Sequence, residues 1–132
     1  MAGTIKFELV SPERILMSVE AEQVIVPGAE GQFTVLAGHA PVVSTLLPGI
    51  IQVTTPNSKE AIFVRSGFAE VSGEQLTILA ERAFIVEEAD PRQLNHELDL
   101  ARQALNGAET DDARFHVNRA IAELQALVDD AA

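Results

Sequence analysis

Cysteine is absent from all 132 residues, and with it go disulfide frameworks, thiolate nucleophiles and cysteine-based zinc sites. That fits a reducing compartment. Basic residues are scarce: nine lysines and arginines stand against 20 aspartates and glutamates, a net charge of −11 that opposes the phosphate backbone of nucleic acids. Nucleic acid is therefore not an expected partner. No apolar run approaches the roughly 18 to 20 residues that cross a bilayer, and no basic amphipathic face favours adsorption to anionic lipid. The first ten residues enter an alternating strand pattern without a charged-then-apolar leader, which predicts a soluble, non-secreted protein with no direct membrane insertion. The length suits one domain, or a modest domain with an appendage, that buries a core without staples.

What the chain has in abundance is turn chemistry between short apolar runs. Residues 24–49 hold Pro27-Gly28, Gly38-His39-Ala40-Pro41 and Pro48-Gly49, where glycine permits positive φ and proline presets φ. The runs between them, 24–26, 32–36 and 42–47, are too short for helices and read as strands. Before them, residues 4–10 alternate Ile5, Phe7 and Leu9 with Thr4, Lys6 and Glu8, the period of a strand with one wet face, and 14–19 gives another run after Ser11-Pro12. After them come 50–54, 61–64, 67–71, 75–79 and 83–86. Turns recurring at this spacing predict an all-β sandwich of about ten short strands over residues 1–88.

The pattern changes at Asp90. Asp90 can cap a helix, Pro91 suits its first position, and Gln93 sits where a capping-box partner reaches back. Leu94, Leu98, Ala101 and Leu105 then recur at helical spacing until Asn106-Gly107. Thr110 caps a second helix with Asp111 and Asp112 in its first turn and a stripe of Ala113, Val117, Ala120, Ile121 and Leu124. An antiparallel α-helical hairpin over residues 90–132 follows. Its apolar burial barely offsets its ordering entropy, on the usual figures of roughly 25 cal/mol per Å² against about 1.5 kcal/mol per ordered residue. Such an element needs a second surface, the sandwich or another protein.

Catalytic constellations are missing. The three histidines, His39, His96 and His116, stand apart, and His96-Glu97 lacks the histidine that a zinc-protease motif needs, Leu100 being in its place. No metal site is expected. Phosphate loop, nucleophile elbow and dinucleotide fingerprint do not occur, and Gly28-Ala29-Glu30-Gly31 feeds no helix. The adjacent acids Glu87-Glu88 and Asp111-Asp112 suit solvation and capping better than paired-carboxylate catalysis.

The order V-x-V-P-G-x-x-G, a short strand, L-x-G-H-A-P and then L-x-P-G resembles the ε subunit of bacterial F-type ATP synthase. Gly67-Phe68-Ala69-Glu70-Val71 and Leu76-Thr77-Ile78-Leu79-Ala80-Glu81 look like that family's closing strands, and the two-helix end matches as well. The resemblance implies a non-catalytic central-stalk subunit that rotates with γ and the c-ring, coupling proton-driven rotation to ATP synthesis. It implies a peripheral position on the cytoplasmic face of the bacterial plasma membrane, with γ and the c-ring as partners and the α/β subunits as a further contact through the hairpin. By position, Ser11, His39 and Ser44 look like the γ-facing residues, and Ala29, Glu30, Gly31 and Gln32 like the loop that meets the c-ring. Turn geometry alone also accounts for Gly28, Gly31 and Pro41, and an orienting hydrogen bond for His39.

The hairpin departs from the family. Some relatives bind ATP through I/L-D-x-x-R-A at the start of the first helix, where the arginine can face phosphate. Here Asp90 is kept, but Gln93 holds the arginine's place and Arg92 comes one residue early, about 100° round the helix. Asp90 and Arg92 are thus the candidate ATP-binding pair, and the displacement argues against ATP as a cofactor. A nucleotide-sensing module whose hairpin binds ATP is the alternative reading. In relatives, basic hairpin residues meet an acidic segment of β, whereas residues 90–132 carry nine acids against four arginines. Unless Arg114 and Arg119 are locally presented, repulsion predicts weak inhibition of ATP hydrolysis.

Overall fold

A computed structural model describes residues 3–131, which divide into two compact units, the first ending at Val86 and the second beginning at Glu87. The first unit contains β1 (Ile5–Val10), β2 (Ile15–Ala21), β3 (Gln23–Gly28), β4 (Gly31–Leu36), β5 (Val42–Thr45), β6 (Gly49–Thr54), β7 (Lys59–Ser72) and β8 (Gln75–Ile85). The strand order is β2-β1-β8-β7-β6-β3-β4, with β5 also on β7. All pairs are antiparallel except β1 with β8.

Eight strands stand where about ten were expected, because four of the expected segments are fused in pairs. Residues 61–64 and 67–71 are the two halves of β7, and 75–79 and 83–86 fall almost wholly within β8. The start of β7 pairs with β6 and its end with β5, while β8 follows β7 throughout and carries β1 beside its first half. The long strands therefore pass from one layer of the sandwich to the other. β7 turns at Ser66 and Gly67, both with positive φ, 62° and 136°. A Cβ on Gly67 would lie 1.8 Å from the Leu79 carbonyl oxygen, so no other residue fits the corner. A glycine read from sequence as a strand start is in fact the bend inside a longer strand.

One layer is β4, β3, β6 and the near halves of β7 and β8; the other is β5, the far halves of β7 and β8, then β1 and β2. Their inner faces meet in a single cluster. Ile5, Phe7, Leu9, Leu76 and Ile78 come from the second layer and Val24, Val26, Val35, Ile51 and Ile62 from the first, all fully buried. These are the alternate positions that strand periodicity places on one face.

A 3-10 turn, Val86–Glu88, spans the boundary, and the second unit holds α1 (Pro91–Gly107) and α2 (Asp111–Ala131), which pack on each other as a hairpin. The capping box forms: the Asp90 carboxylate accepts from the Arg92 backbone N–H at 2.8 Å, and the Gln93 side chain accepts from the Asp90 N–H at 2.9 Å. The Thr110 hydroxyl oxygen accepts from the Ala113 N–H at 3.0 Å. Leu94, Leu98, Ala120 and Leu124 of the expected stripes are buried, and so is Glu97. Neither helix is long and apolar enough to cross a membrane.

Candidate functional site

Side chains directly opposite one another in a sheet share a face, so the strand register lays out the outer surface of the second layer. Across β5, β7, β8 and β1 one row runs Thr45, Phe68, Leu79, Val10, and past a bulge it reaches Ile15 on β2. Phe68 is 39% exposed, Leu79 38% and Ile15 59%. Beside the row an open groove of about 380 Å³ is lined by Val10, Pro12, Gly67, Phe68, Leu79 and Glu81, among others. The next row runs Val43, Glu70, Thr77, Glu8 and Ser18, with Val43 66% exposed. A continuous apolar stripe across four strands of a five-stranded layer is a mark of an interaction surface, whereas single exposed apolar residues are ordinary. Sequence reasoning missed these residues. Their signal was a break in alternation: Leu9-Val10, Phe68-Ala69 and Ile78-Leu79 are apolar doublets whose second or first member must face out.

A second groove, about 490 Å³, lies at the tip of the β3–β4 hairpin, lined by Ala29, Glu30, Gly31 and Gln32 with Phe33 and β5 residues 42–45. Ser44 shares it. The Ala29 N–H donates to the Thr45 carbonyl at 2.9 Å and to the Ser44 hydroxyl oxygen at 3.4 Å, and that hydroxyl donates to the Thr45 carbonyl at 3.0 Å. These bonds pin the hairpin tip to β5. Gly31 has a φ of 123°, so turn geometry requires a glycine there.

The three residues grouped as γ-facing fall in three places. Ser44 pairs with Ala69, on the inner side of β5 at the sandwich edge. His39 lies in the β4–β5 loop, where its backbone N–H donates to Leu36 at 3.1 Å, its Nδ1 is 2.6 Å from the Ala40 carbonyl oxygen, and its ring is 6.3 Å from that of Phe33. Ser11 makes the β1–β2 turn, donating to the Arg14 carbonyl from its N–H at 2.9 Å and its hydroxyl at 3.2 Å. It follows Val10 and so adjoins the apolar row. Ser44 and Ala29–Gln32 are brought together; Ser11 is brought to the row instead.

In the hairpin the arginines are engaged locally. Arg92 bonds the Asp90 carboxylate at 3.1 and 3.4 Å, and hydrogen bonds from its side chain and backbone, in that order, hold the Asp90 carboxyl below its ordinary value. The same side-chain bond raises Arg92. Arg102 donates to Gln125 on the other helix at 2.9 Å, and Gln125 donates to Asp129 at 3.0 Å. Arg114 pairs with Asp111 at 2.6 Å and donates to the Ala108 carbonyl at 3.2 Å, tying down the turn between the helices. Arg119 acts on Glu123, whose carboxyl is pushed up by burial against the opposing pull of that cation. His116 stands 3.5 Å from Asp112. Phe115 is 62% exposed.

Among the described residues no group of three or more His, Asp or Glu side chains could hold a metal ion. The family model for the β-sandwich domain of the ATP synthase delta/epsilon chain matches residues 4–86. The ATP synthase epsilon chain of Brucella canis is 38% identical over 128 residues, covering 96% of this chain and 95% of the relative, and that of Brucella suis biovar 1 matches equally. Among solved structures, a chain of the Euglena gracilis mitochondrial ATP synthase (OSCP/F1/c-ring) superposes with a TM-score of 0.70 at 24% identity, over 100% of this chain and 84% of that one. A chain of the Tetrahymena thermophila mitochondrial ATP synthase central stalk and c-ring gives 0.60 at 11% identity, over 93% and 95%. At those identities the structural likeness is one of fold. The sandwich match and the nearly full-length relatives together establish that the chain belongs to the ATP synthase epsilon-chain family.

Proposed function

We propose that this central-stalk subunit joins γ to the membrane c-ring, so that shaft and ring turn together and proton-driven rotation reaches the catalytic hexamer. In this reading it has no active site of its own and is held peripherally at the cytoplasmic face of the bacterial plasma membrane by its partners. The observation that carries the proposal is the apolar row of Phe68, Leu79, Val10 and Ile15, too continuous for a surface that stays in water. It is γ's natural seat, with Ser11 at its margin. The tip Ala29–Gln32, polar and pinned to β5, suits the polar loops of the c-ring, and Ser44, in the same groove, supports that end of the sandwich.

The hairpin contributes little to this role. Its charge is strongly negative, Arg114 pairs with Asp111, and the Arg119 cation acts on Glu123, so both arginines have an acid of the hairpin itself to offset. Asp90 and Arg92 bind each other, which supports a hairpin without ATP. The test is a pull-down of the tagged full chain from its own membranes. Recovery of γ and the c subunit is expected, and recovery of neither would overturn the proposal.

A further inference from the structure

We infer that the apolar row is framed by carboxylates that select a protein surface presenting an apolar ridge flanked by lysine or arginine. This rests on the reading that the row is the seat of the shaft subunit, and it adds what the partner's side must carry. Because β7 and β8 run antiparallel and Phe68 pairs with Leu79, the next outward residue on each strand lies on opposite sides of the row: Glu70 on one side, Glu81 on the other. Two residues along a strand is roughly 7 Å, within reach of a cation seated beside the ridge. Both glutamates are exposed, and Glu81 lines the same groove as Phe68 and Leu79. Glu8 stands with Glu70, but Lys6 approaches it at 3.5 Å and offsets its charge. At the far end, next to Ile15, the exposed Glu13 and Arg14 offset each other, so the net charge beside the row comes from Glu70 and Glu81.

The frame decides between occupants. An anionic lipid surface would be repelled by Glu70 and Glu81 and by a chain of net charge −11. A second copy would bring like charge against like across the same apolar contact. A basic-flanked protein face gains both terms.

The test uses the purified full chain and the γ subunit of the same ATP synthase, with association and dissociation rates measured from 50 to 500 mM KCl. Association of the unaltered chain should slow about ten-fold across that range, as steered encounters do. The E70Q/E81Q chain should associate about five-fold more slowly at low salt and lose most of the salt dependence, with an unchanged melting temperature. Phe68→Ala should instead speed dissociation and leave the salt slope intact. If Phe68→Ala weakens binding while E70Q/E81Q keeps the full salt dependence, the frame is wrong and the docking surface stands. Should neither Phe68→Ala nor Leu79→Ala weaken binding, the docking surface itself fails. A stable dimer of the chain alone in sedimentation would overturn the choice of partner.

Discussion

In the sandwich the first strand pairs with the last, β1 beside β8, whereas the hairpin's caps and the Arg114–Asp111 pair link residues close in sequence, with Arg102–Gln125 reaching across the helices. The sandwich is held by register between distant segments over a fully buried core, so every outward position is fixed by an inward one. The hairpin closes over a narrow apolar seam of Leu94, Leu98, Ala120 and Leu124, to which caps and local ion pairs each add little. The contrast bears on function. In the proposed role, a surface that passes on rotation would sit on the unit whose geometry is over-determined, while the hairpin's arginines serve its own acids and turn.

The sharpest way to break the comparison is at the sandwich corner. Gly67→Ala should cost about 3 kcal/mol or more, because the new Cβ meets backbone atoms that cannot yield, and urea denaturation of the full chain measures it. Gly31→Ala meets no atom within 4 Å and carries only the conformational penalty, about 1 kcal/mol. Equal costs at the two sites would refute the account of the corner. Next in size, the Phe68→Ala/Leu79→Ala pair should weaken γ binding by ~ten-fold or more while moving the melting temperature little, as expected for partly exposed anchors. A large loss of stability would make these residues core rather than interface.

On the hairpin side, Thr110→Ala should destabilise α2 by about 1 kcal/mol, read as faster amide exchange in its first turn and leaving the sandwich amides unchanged. Truncation after Glu88 should alter ATP hydrolysis by the assembled enzyme less than about two-fold, since repulsion from an acidic target leaves little inhibition to relieve. Several-fold activation would show that the hairpin's acidity does not govern it. Smallest is the effect of Glu123. Burial raises its carboxyl, so between the unfolded and folded values the folded chain holds the extra proton; its contribution to stability is full at lower pH and is lost as pH rises through the folded value. Glu123→Gln should be more stable at pH 7 by a few tenths of a kcal/mol at most, the side chain being only partly buried, and should flatten the pH dependence of hairpin melting.

Much of this was legible in the residues. Alternation gave the strand segments, and Asp90-Pro91-Arg92-Gln93 and Thr110 gave the helix starts, because capping and pleating are local and each needs only its neighbours. The count of strands was not, since a glycine between two runs reads alike whether it ends one strand or bends another. Glu97 escaped for a similar reason: helical spacing put it on the edge of the stripe, and burial depends on what packs there. The doublets Leu9-Val10 and Ile78-Leu79 showed that some apolar side chains must face water, yet nothing local said that these would align with Phe68 and Ile15.

The sequence by itself determined a sandwich followed by a hairpin, the turns at Pro27–Gly31, the acid excess of the helices and the family that carries them. Tertiary structure alone decided that Ser44 lies with the hairpin tip rather than with Ser11, and that outward residues from four strands form one apolar row between Glu70 and Glu81. Turn and cap preferences act over a few residues and are written where they act. A face is made by register between strands up to the whole length of the sandwich apart, and only folding brings those residues onto one line.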